Sequence, residues 1–297
     1  MRALAEYIMR GRMQATFVVV GSAAFPLLLW LSAAAGSLVL LRRGANDALG
    51  ILVWAMLPAL AWWYFGDPST LLVLVGTLSL ALLLRAGWSW NRVLLGSVVL
   101  GVVYGLVIGA VYRDALTTMS GELQKLVPGM LEGAQHQLTL DDRARIDSLI
   151  TPVLTGLMAA LLQVMSLLSL IVGRFWQAML YNPGGFGREF RALRLPMPVM
   201  LLLLALMVLG PNMGSQWAML TPLCSVPLLF AGIALVHGLA NQGGLARFWL
   251  VGMYITLLLF MQLVYPLLVV LAIVDSLLDF RGRLARSKSA SSTNGEG

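Results

Sequence analysis

Residues 93–112 read VLLGSVVLGVVYGLVIGAVY, a run of 20 residues without a charged side chain. A helix rises about 1.5 Å per residue, so a run of this length crosses the roughly 30 Å hydrocarbon core of a bilayer. Seven further apolar runs flank it, at residues 15–41, 48–65, 69–84, 149–173, 197–210, 217–240 and 248–278. The pattern predicts a polytopic membrane protein with about eight apolar segments.

The composition supports the same prediction. Apolar residue types make up 59% of the chain and charged types 11%. Soluble domains usually carry about 25% charged residues, so we expect no large soluble domain. Backbone groups in lipid must pair within their own segment, and the runs lack the alternation of barrel strands. The predicted fold class is an all-α transmembrane helical bundle.

The charges in the breaks between the runs sort by sign. Residues 113–147 carry six acidic against four basic side chains, whereas residues 174–196 carry four arginines against one glutamate. The positive-inside rule makes the second stretch a cytoplasmic loop and the first, one helix away, an acidic external loop. The basic breaks at 42–43 and 85–92 then fall in the cytoplasm as well. The expected location is the bacterial plasma (inner) membrane, with a basic and then disordered tail at 281–297.

The transmembrane domain is expected over residues 15–280. Its two ends make the number of crossings difficult to assign. A single crossing by the first run would place the amphipathic segment 1–14 outside, although its arginines favour the cytoplasm. Pro26 resolves this by dividing the run into a helical hairpin, and Pro266 is expected to interrupt the last run similarly. An alternative is that the short run 197–210 only dips into the membrane. The number of crossings and the side of the C-terminus stay open.

The run 93–112 carries the clearest helix-packing signal. Its small residues at spacing four are Ser97, Gly101, Gly105 and Gly109. At 3.6 residues per turn they form one groove, which lets another backbone approach closely. Internal packing, homodimerisation and a groove that leaves room for a ligand are the alternatives.

Residues 182–186, Asn-Pro-Gly-Gly-Phe, predict a tight turn, because proline fixes φ and glycine accepts positive φ. Arginines and aromatic residues follow it. The candidate partner-docking turn comprises Asn182, Pro183, Gly184, Gly185, Phe186, Arg188, Arg191 and Arg194. The alternative is an interfacial anchor of aromatic and basic side chains.

The acidic loop contains two short amphipathic patterns separated by Pro128-Gly129. Thr139, followed by Asp142, resembles a capping box that starts the next helix. The loop is interpreted either as a lid over an external cavity or as a solvated segment on the membrane surface.

Polar residues at membrane depth are functional candidates by default. The candidates are Asp275, Gln163 and Gln262. Asp279 is expected on the helix face of Asp275, with Arg281 at the interface. A structural ion pair and a proton relay are the two interpretations.

An enzyme is not expected, because no acid, base and nucleophile set is found. His136 and His237 lack partners at ligand spacing, so neither a metal site nor another cofactor is predicted. The net charge of +7 is spread in pairs beside apolar runs, which does not indicate nucleic-acid binding. The lipid bilayer is the expected partner.

Four stretches carry a family resemblance. They are Phe25-Pro26 with Ser32-Ala33-Ala34, then Leu41-Arg42-Arg43-Gly44, then Tyr181-Asn182-Pro183-Gly184-Gly185-Phe186, and Asp275-Ser276-Leu277-Leu278-Asp279-Phe280-Arg281. Together they resemble the YybS-like family of uncharacterised polytopic bacterial membrane proteins. That family is distantly similar to the substrate-binding membrane subunits of energy-coupling-factor vitamin transporters.

The resemblance implies a small-solute-binding transport subunit without its own ATPase. No Walker motif occurs in the sequence, so a protein partner would supply energy. Residues 174–196 and the small-residue groove would dock this partner. The alternative is a non-transporting membrane scaffold or assembly protein whose cytoplasmic arginines bind a protein partner. A polar cavity would separate the two, and its candidate residues are Asn91, Gln163, Gln262 and Tyr265.

Overall fold

We describe a computed structural model that covers residues 1–130, 139–243 and 247–283. All regular elements in these residues are helical, which confirms the all-α class. The helices are α1 (Arg2–Arg10), α2 (Arg12–Ala23), α3 (Leu29–Arg43), α4 (Ala45–Tyr64), α5 (Ser69–Arg85), α6 (Trp90–Val111), α7 (Arg113–Met130), α8 (Leu140–Tyr181), α9 (Gly185–Ala192), α10 (Met197–Met213), α11 (Leu220–Gln242), α12 (Arg247–Leu259) and α13 (Met261–Leu278). Short 3-10 turns at Pro26–Leu28 and Ser215–Met219 precede α3 and α11.

The lengths of the helices match a polytopic helical bundle. Six described helices are long and apolar enough to cross a membrane. A seventh span results if α9 and α10, which meet at 65°, form one broken crossing. The two segments α5 and Phe248–Leu259 are apolar but shorter. The bend between α9 and α10 is compatible with both interpretations of the run 197–210, a broken crossing and a re-entrant segment.

The basic breaks of the chain meet at one end of the bundle. Gln177 at the end of α8 donates a hydrogen bond to the Leu41 carbonyl at the end of α3, over 3.1 Å. Arg85 at the end of α5 donates to the same carbonyl over 3.2 Å. Trp90 at the start of α6 donates to Glu189 of α9 over 3.4 Å. We call this the basic end, where α3, α5 and α8 end and where α6 and α9 begin.

The acidic breaks meet at the opposite end. Tyr112, after α6, donates a hydrogen bond over 3.4 Å to Asp67, between α4 and α5. Burial, and then the charge of Asp67, raise the pKa of Tyr112. Arg145 near the start of α8 donates to Asn212 at the end of α10. This acidic end therefore collects the helix termini remote from the basic loop.

The predicted break at Pro26 is present. α2 ends at Ala23 and α3 begins at Leu29. The buried Ser32 hydroxyl donates to the Val19 carbonyl over 2.8 Å, which joins the two helices as a hairpin. Arg43 donates to the Met9 carbonyl over 2.6 Å, so α1 lies at the basic end with the end of α3.

The second predicted break is wrongly placed. Pro266 lies inside α13, and the chain breaks at Phe260 instead. Proline removes only the hydrogen bond to the carbonyl four residues earlier, here that of Gln262, and α13 continues through Pro266. The break and α13 still return the chain to the basic end.

The loops are shorter than hydropathy predicts. α7 continues through Pro128 to Met130, so the predicted division at Pro128-Gly129 does not occur there. α8 is 42 residues long and takes residues from both predicted loops. The predicted capping box is confirmed: Asp142 N donates to the Thr139 hydroxyl over 3.2 Å, and Thr139 N donates to Asp142 Oδ2 over 3.0 Å. Residues 131–138 of the predicted external loop (113–147) and residues 284–297 of the predicted tail (281–297) lie outside the described residues.

Candidate functional site

The small-residue groove of α6 faces the interior of the bundle. The buried Gln163 of α8 donates to the Ser97 hydroxyl over 2.9 Å. A Cβ at Gly101 would lie 2.6 Å from Leu223 Cδ2 and 3.0 Å from Gln163 Oε1. α8 and α11 therefore approach α6 as closely as a glycine permits.

The remaining two glycines face the same neighbours. A Cβ at Gly105 would lie 3.2 Å from Met219 Sδ, and one at Gly109 would lie 3.8 Å from Thr155 Cγ2. The groove is thus occupied within one molecule. A homodimer partner or a ligand has no room at Ser97, Gly101 and Gly105, which are buried, whereas Gly109 is half-buried.

A second buried polar contact lies beside the groove, at a position that sequence reasoning missed. The Tyr104 hydroxyl donates to the Leu72 carbonyl over 2.9 Å and lies 2.8 Å from the Ser166 hydroxyl. It occupies the space beside Gly76, where a Cβ would lie 2.7 Å from Leu100 Cδ2. The polar groups of this region are therefore interhelical hydrogen-bond partners.

The structure does not bring the candidate polar-cavity residues together. Gln163 is fully buried and packed on α6, whereas Gln262 is exposed near the start of α13. Tyr265 lies 2.7 Å from the Ser225 hydroxyl. These side chains line none of the described cavities, and Asn91 does not either.

Asp275 is the centre of an ion-pair cluster at the end of α13. Its carboxylate accepts from Arg281 over 2.8 Å, and both side chains are buried. Arg281 also donates to the carbonyls of Arg191 and Leu193, over 2.6 and 2.9 Å. This geometry is that of a structural ion pair: one guanidinium joins the end of α13 to the last turn of α9 and to Leu193 after it.

Asp279 lies beside Asp275: its N–H donates to the Asp275 carbonyl over 3.0 Å, and the carboxylates of Asp279 and Asp275 lie 3.2 and 4.0 Å from Arg194. α13 ends at Leu278, and Asp279 adopts φ 51°, in the left-handed region. Arg281, two residues beyond this left-handed position, donates to the Asp275 carboxylate. We call Asp275, Asp279, Arg281 and Arg194 the carboxylate clamp. Arg281 belongs to the folded bundle rather than to the tail.

Arg194, a candidate docking residue, completes the clamp. It lies 3.2 Å from Asp279 and donates to the Asp275 and Ser276 carbonyls over 3.0 and 3.2 Å. Cations at a helix C-terminus compensate its unpaired carbonyls and the negative end of the helix dipole. Arg194 therefore acts inside the molecule.

The predicted turn begins α9. Gly184 adopts φ 80°, which strains any residue with a Cβ. Asn182 and Pro183 are exposed, whereas Gly185 is buried. Among the arginines that follow, Arg188 is exposed.

α9 is attached to the bundle by Glu189, which sequence reasoning left without a role. Arg174 of α8 pairs with Glu189, and its Nε donates over 3.1 Å. Trp90 donates to the same carboxylate. A cavity of about 510 Å³ lies beside this pair, with Arg85 and Gln177 in its wall.

Aromatic side chains form a row over five helices, α6, α8, α9, α11 and α12. The aromatic row comprises Trp90, Phe175, Phe186, Phe190, His237 and Tyr254. Phe186 and Phe190 stack with centroids 5.7 Å apart. The imidazole of His237 meets Phe190 edge to face at 5.5 Å, and its Nε2 lies 2.8 Å from the Tyr254 hydroxyl. The row thus links α9 to α11 and α12.

A cavity of about 770 Å³ lies against this row, between α8, α9, α11 and α12, with Arg2 of α1 also in its wall. Its apolar wall includes Leu168, Ile171, Phe175, Phe186, Phe190 and Ile233. Its polar groups are Arg2, Arg191, His237 and Tyr254. Ligand pockets are usually about 300–1,000 Å³ and mostly apolar, with a few polar groups. This aromatic cavity is the candidate functional site.

The chemistry of the described residues gives no metal centre. No group of three or more His, Cys, Asp or Glu residues in residues 1–130, 139–243 and 247–283 is placed to hold a metal ion. Cys224 is buried in α11 among apolar side chains.

The bundle and its apolar spans define a class, the polytopic α-helical membrane proteins. Comparison of the chain with protein-family models, curated proteins and solved structures finds no match.

Proposed function

We propose that this protein is a small-solute-binding membrane subunit without its own ATPase, and that the aromatic cavity is its binding site. The observation that carries the proposal is the cavity itself: about 770 Å³, walled by residues of five helices, mostly apolar and lined by a few polar side chains. Such a cavity suits a solute with an apolar body. The resemblance to the YybS-like family supports a partner that supplies energy.

The charges at the basic end favour binding over scaffolding. Of the four arginines in residues 174–196, Arg174 pairs with Glu189 and Arg194 pairs with Asp279. Side chains that satisfy internal carboxylates contribute little to an external docking surface. The scaffold alternative relies on such a surface. Within residues 174–196, Arg188 is the arginine that is exposed.

Filling the cavity is expected to abolish solute retention. Leu168 lines the cavity, so a larger side chain there reduces the cavity volume. Leu168 is also 44% exposed, so the substitution does not overpack the buried core. We expect Leu168→Trp protein, released gently from its native membrane, to lose a co-purified small molecule that the unmodified protein retains. Native mass spectrometry measures both.

A matched control lies seven residues earlier on the same helix face. Leu161 is 61% exposed and does not line the cavity, so Leu161→Trp should retain the solute. Protein partners without any small molecule, in the unmodified protein as well, would contradict the proposal and support the scaffold alternative.

We also propose that the basic end faces the cytoplasm, because basic residues near short loops are retained there. In a Cys224→Ser background, Thr118→Cys introduces a thiol in α7 at the acidic end, and Arg188→Cys introduces one at the basic end. Both positions are exposed. We expect a membrane-impermeant maleimide to label only the first in intact cells and both after permeabilisation. Labelling of the second alone in intact cells would invert the topology.

A further inference from the structure

The polar lining of the aromatic cavity carries positive charge only. Arg2 and Arg191 line it, and none of the described lining residues has a carboxylate. Arg2 pairs with Glu6 over 2.9 Å, on the exposed surface of α1. Arg191 makes no ion pair with a described carboxylate. A cavity with this lining favours an anionic group over a neutral or cationic one.

The structure fixes the position of Arg191. Its carbonyl accepts from Arg281 over 2.6 Å, which holds the end of α9 against the carboxylate clamp. Its guanidinium lies over Gly187, one helical turn earlier in α9. A Cβ added at Gly187 would lie 3.1 Å from Arg191 Nη1. Gly187 also lines the cavity, so the missing side chain leaves the guanidinium at the cavity wall.

The opposite part of the lining suits an apolar body. Phe175, Phe186 and Phe190 present rings from two helices, and Ile233 closes the wall from α11. Burial of apolar surface contributes about 25 cal/mol per Å², whereas a charged group in this part would lose its hydration. The lining thus separates an apolar region from a cationic one.

We infer that the solute is an anionic amphiphile, with an apolar body among the phenylalanines and a carboxylate or phosphate against Arg191. This inference rests on the proposed function, because it names the chemical class that the aromatic cavity binds. Arginine suits this head group because its planar guanidinium donates two parallel hydrogen bonds to such an anion.

Matched photoaffinity probes test the head group. The full chain is placed in phosphatidylcholine nanodiscs with diazirine derivatives of dodecanoate, dodecanol or dodecyltrimethylammonium, which share one apolar chain. Peptide mass spectrometry then measures labelling of the cavity residues of α8 and α9. We expect the carboxylate probe to label them about tenfold more than the alcohol, the effect of one charge-assisted hydrogen bond. The cationic probe should label them least.

Variants of one arginine separate charge from folding. Arg191→Gln should lower carboxylate labelling about tenfold, to the level of the alcohol, while Arg191→Lys keeps most of the preference. Arg92→Gln is the control, because Arg92 is exposed at the same end and does not line the cavity. It should leave the labelling unchanged.

The outcomes distinguish this inference from the proposed function. Equal labelling of the cavity by all three probes, unaffected by Arg191→Gln, would overturn the anionic head group but leave the cavity as a binding site. Labelling of lipid-facing residues alone would overturn both. The source of the amphiphile follows from competition: a fatty acid in the bilayer competes if the solute is a membrane lipid, and a water-soluble aromatic carboxylate competes if the solute arrives from water.

Discussion

Arg281→Met is expected to lower the free energy of unfolding by about 3–5 kcal/mol, the cost of leaving one member of a buried ion pair without its partner. Asp275 is 3% exposed, and its other cation, Arg194, lies 4.0 Å away, so neither water nor Arg194 replaces the 2.8 Å bond to Arg281. The substitution also removes the donor to the Arg191 and Leu193 carbonyls. The melting temperature of the purified protein measures the loss of stability. Unfolding is monitored as the loss of monodisperse protein after heating.

Arg283→Met is the matched control, because Arg283 lies two residues further along and is exposed. It should unfold at the temperature of the unmodified protein. Removing both charges, in Asp275→Leu with Arg281→Met, should restore part of the loss, since no buried charge is left unpaired. Equal melting temperatures for the Arg281 and Arg283 variants would show that the clamp does not stabilise the fold.

The apolar runs predicted the transmembrane helices well, but not where they end. The run 149–173 became α8, which continues from Leu140 to Tyr181. A helix outside the lipid accepts polar residues, so hydropathy marks the bilayer rather than the helix. Local chemistry marks the helix: the capping box at Thr139 starts α8, and the turn at Asn182 ends it.

The carboxylate clamp shows why the sequence indicated Asp275 as a candidate but did not predict all of its contacts. Asp275 was singled out because a charge at membrane depth needs a partner. Regular helical spacing predicted Asp279 as its neighbour on one face. The left-handed conformation of Asp279 ends the helix, and Arg281 beyond it donates to the Asp275 carboxylate. Helical spacing does not predict this second contact, because it depends on the path of the chain after the helix.

The aromatic cavity could be predicted only in part. Phe175, Phe186 and Arg191 lie in residues 174–196, which the sequence indicates as a docking segment. His237 and Tyr254 come from α11 and α12, and only packing brings them to this row. The arginines of the predicted docking surface have different environments in the structure. Arg194 pairs with an internal carboxylate, Arg188 is exposed and Arg191 lines the cavity. These differences depend on tertiary contacts that a linear pattern does not contain.

Gly232→Ala is expected to cost about 1–3 kcal/mol or more, because the added methyl group has no space. A Cβ at Gly232 of α11 would lie 2.8 Å from the carbonyl carbon of Leu268 and 3.2 Å from its Cα, both in the backbone of α13. Backbone atoms cannot rotate away as a side chain can, so α11 and α13 must separate. A lower melting temperature and poorer retention of folded protein in detergent would report this separation.

Gly252→Ala is the control for the intrinsic effect of the substitution. Gly252 lies in α12, and no atom lies within 4 Å of the position that an added Cβ would occupy, so alanine there should be neutral or stabilise by about 0.5–1 kcal/mol. The difference between the two variants isolates the close approach of α11 and α13. Because α13 ends in the carboxylate clamp, which holds Arg191 in place, separation of these helices should also weaken labelling by the carboxylate probe. Unchanged stability of Gly232→Ala would mean that the two helices do not cross at this glycine.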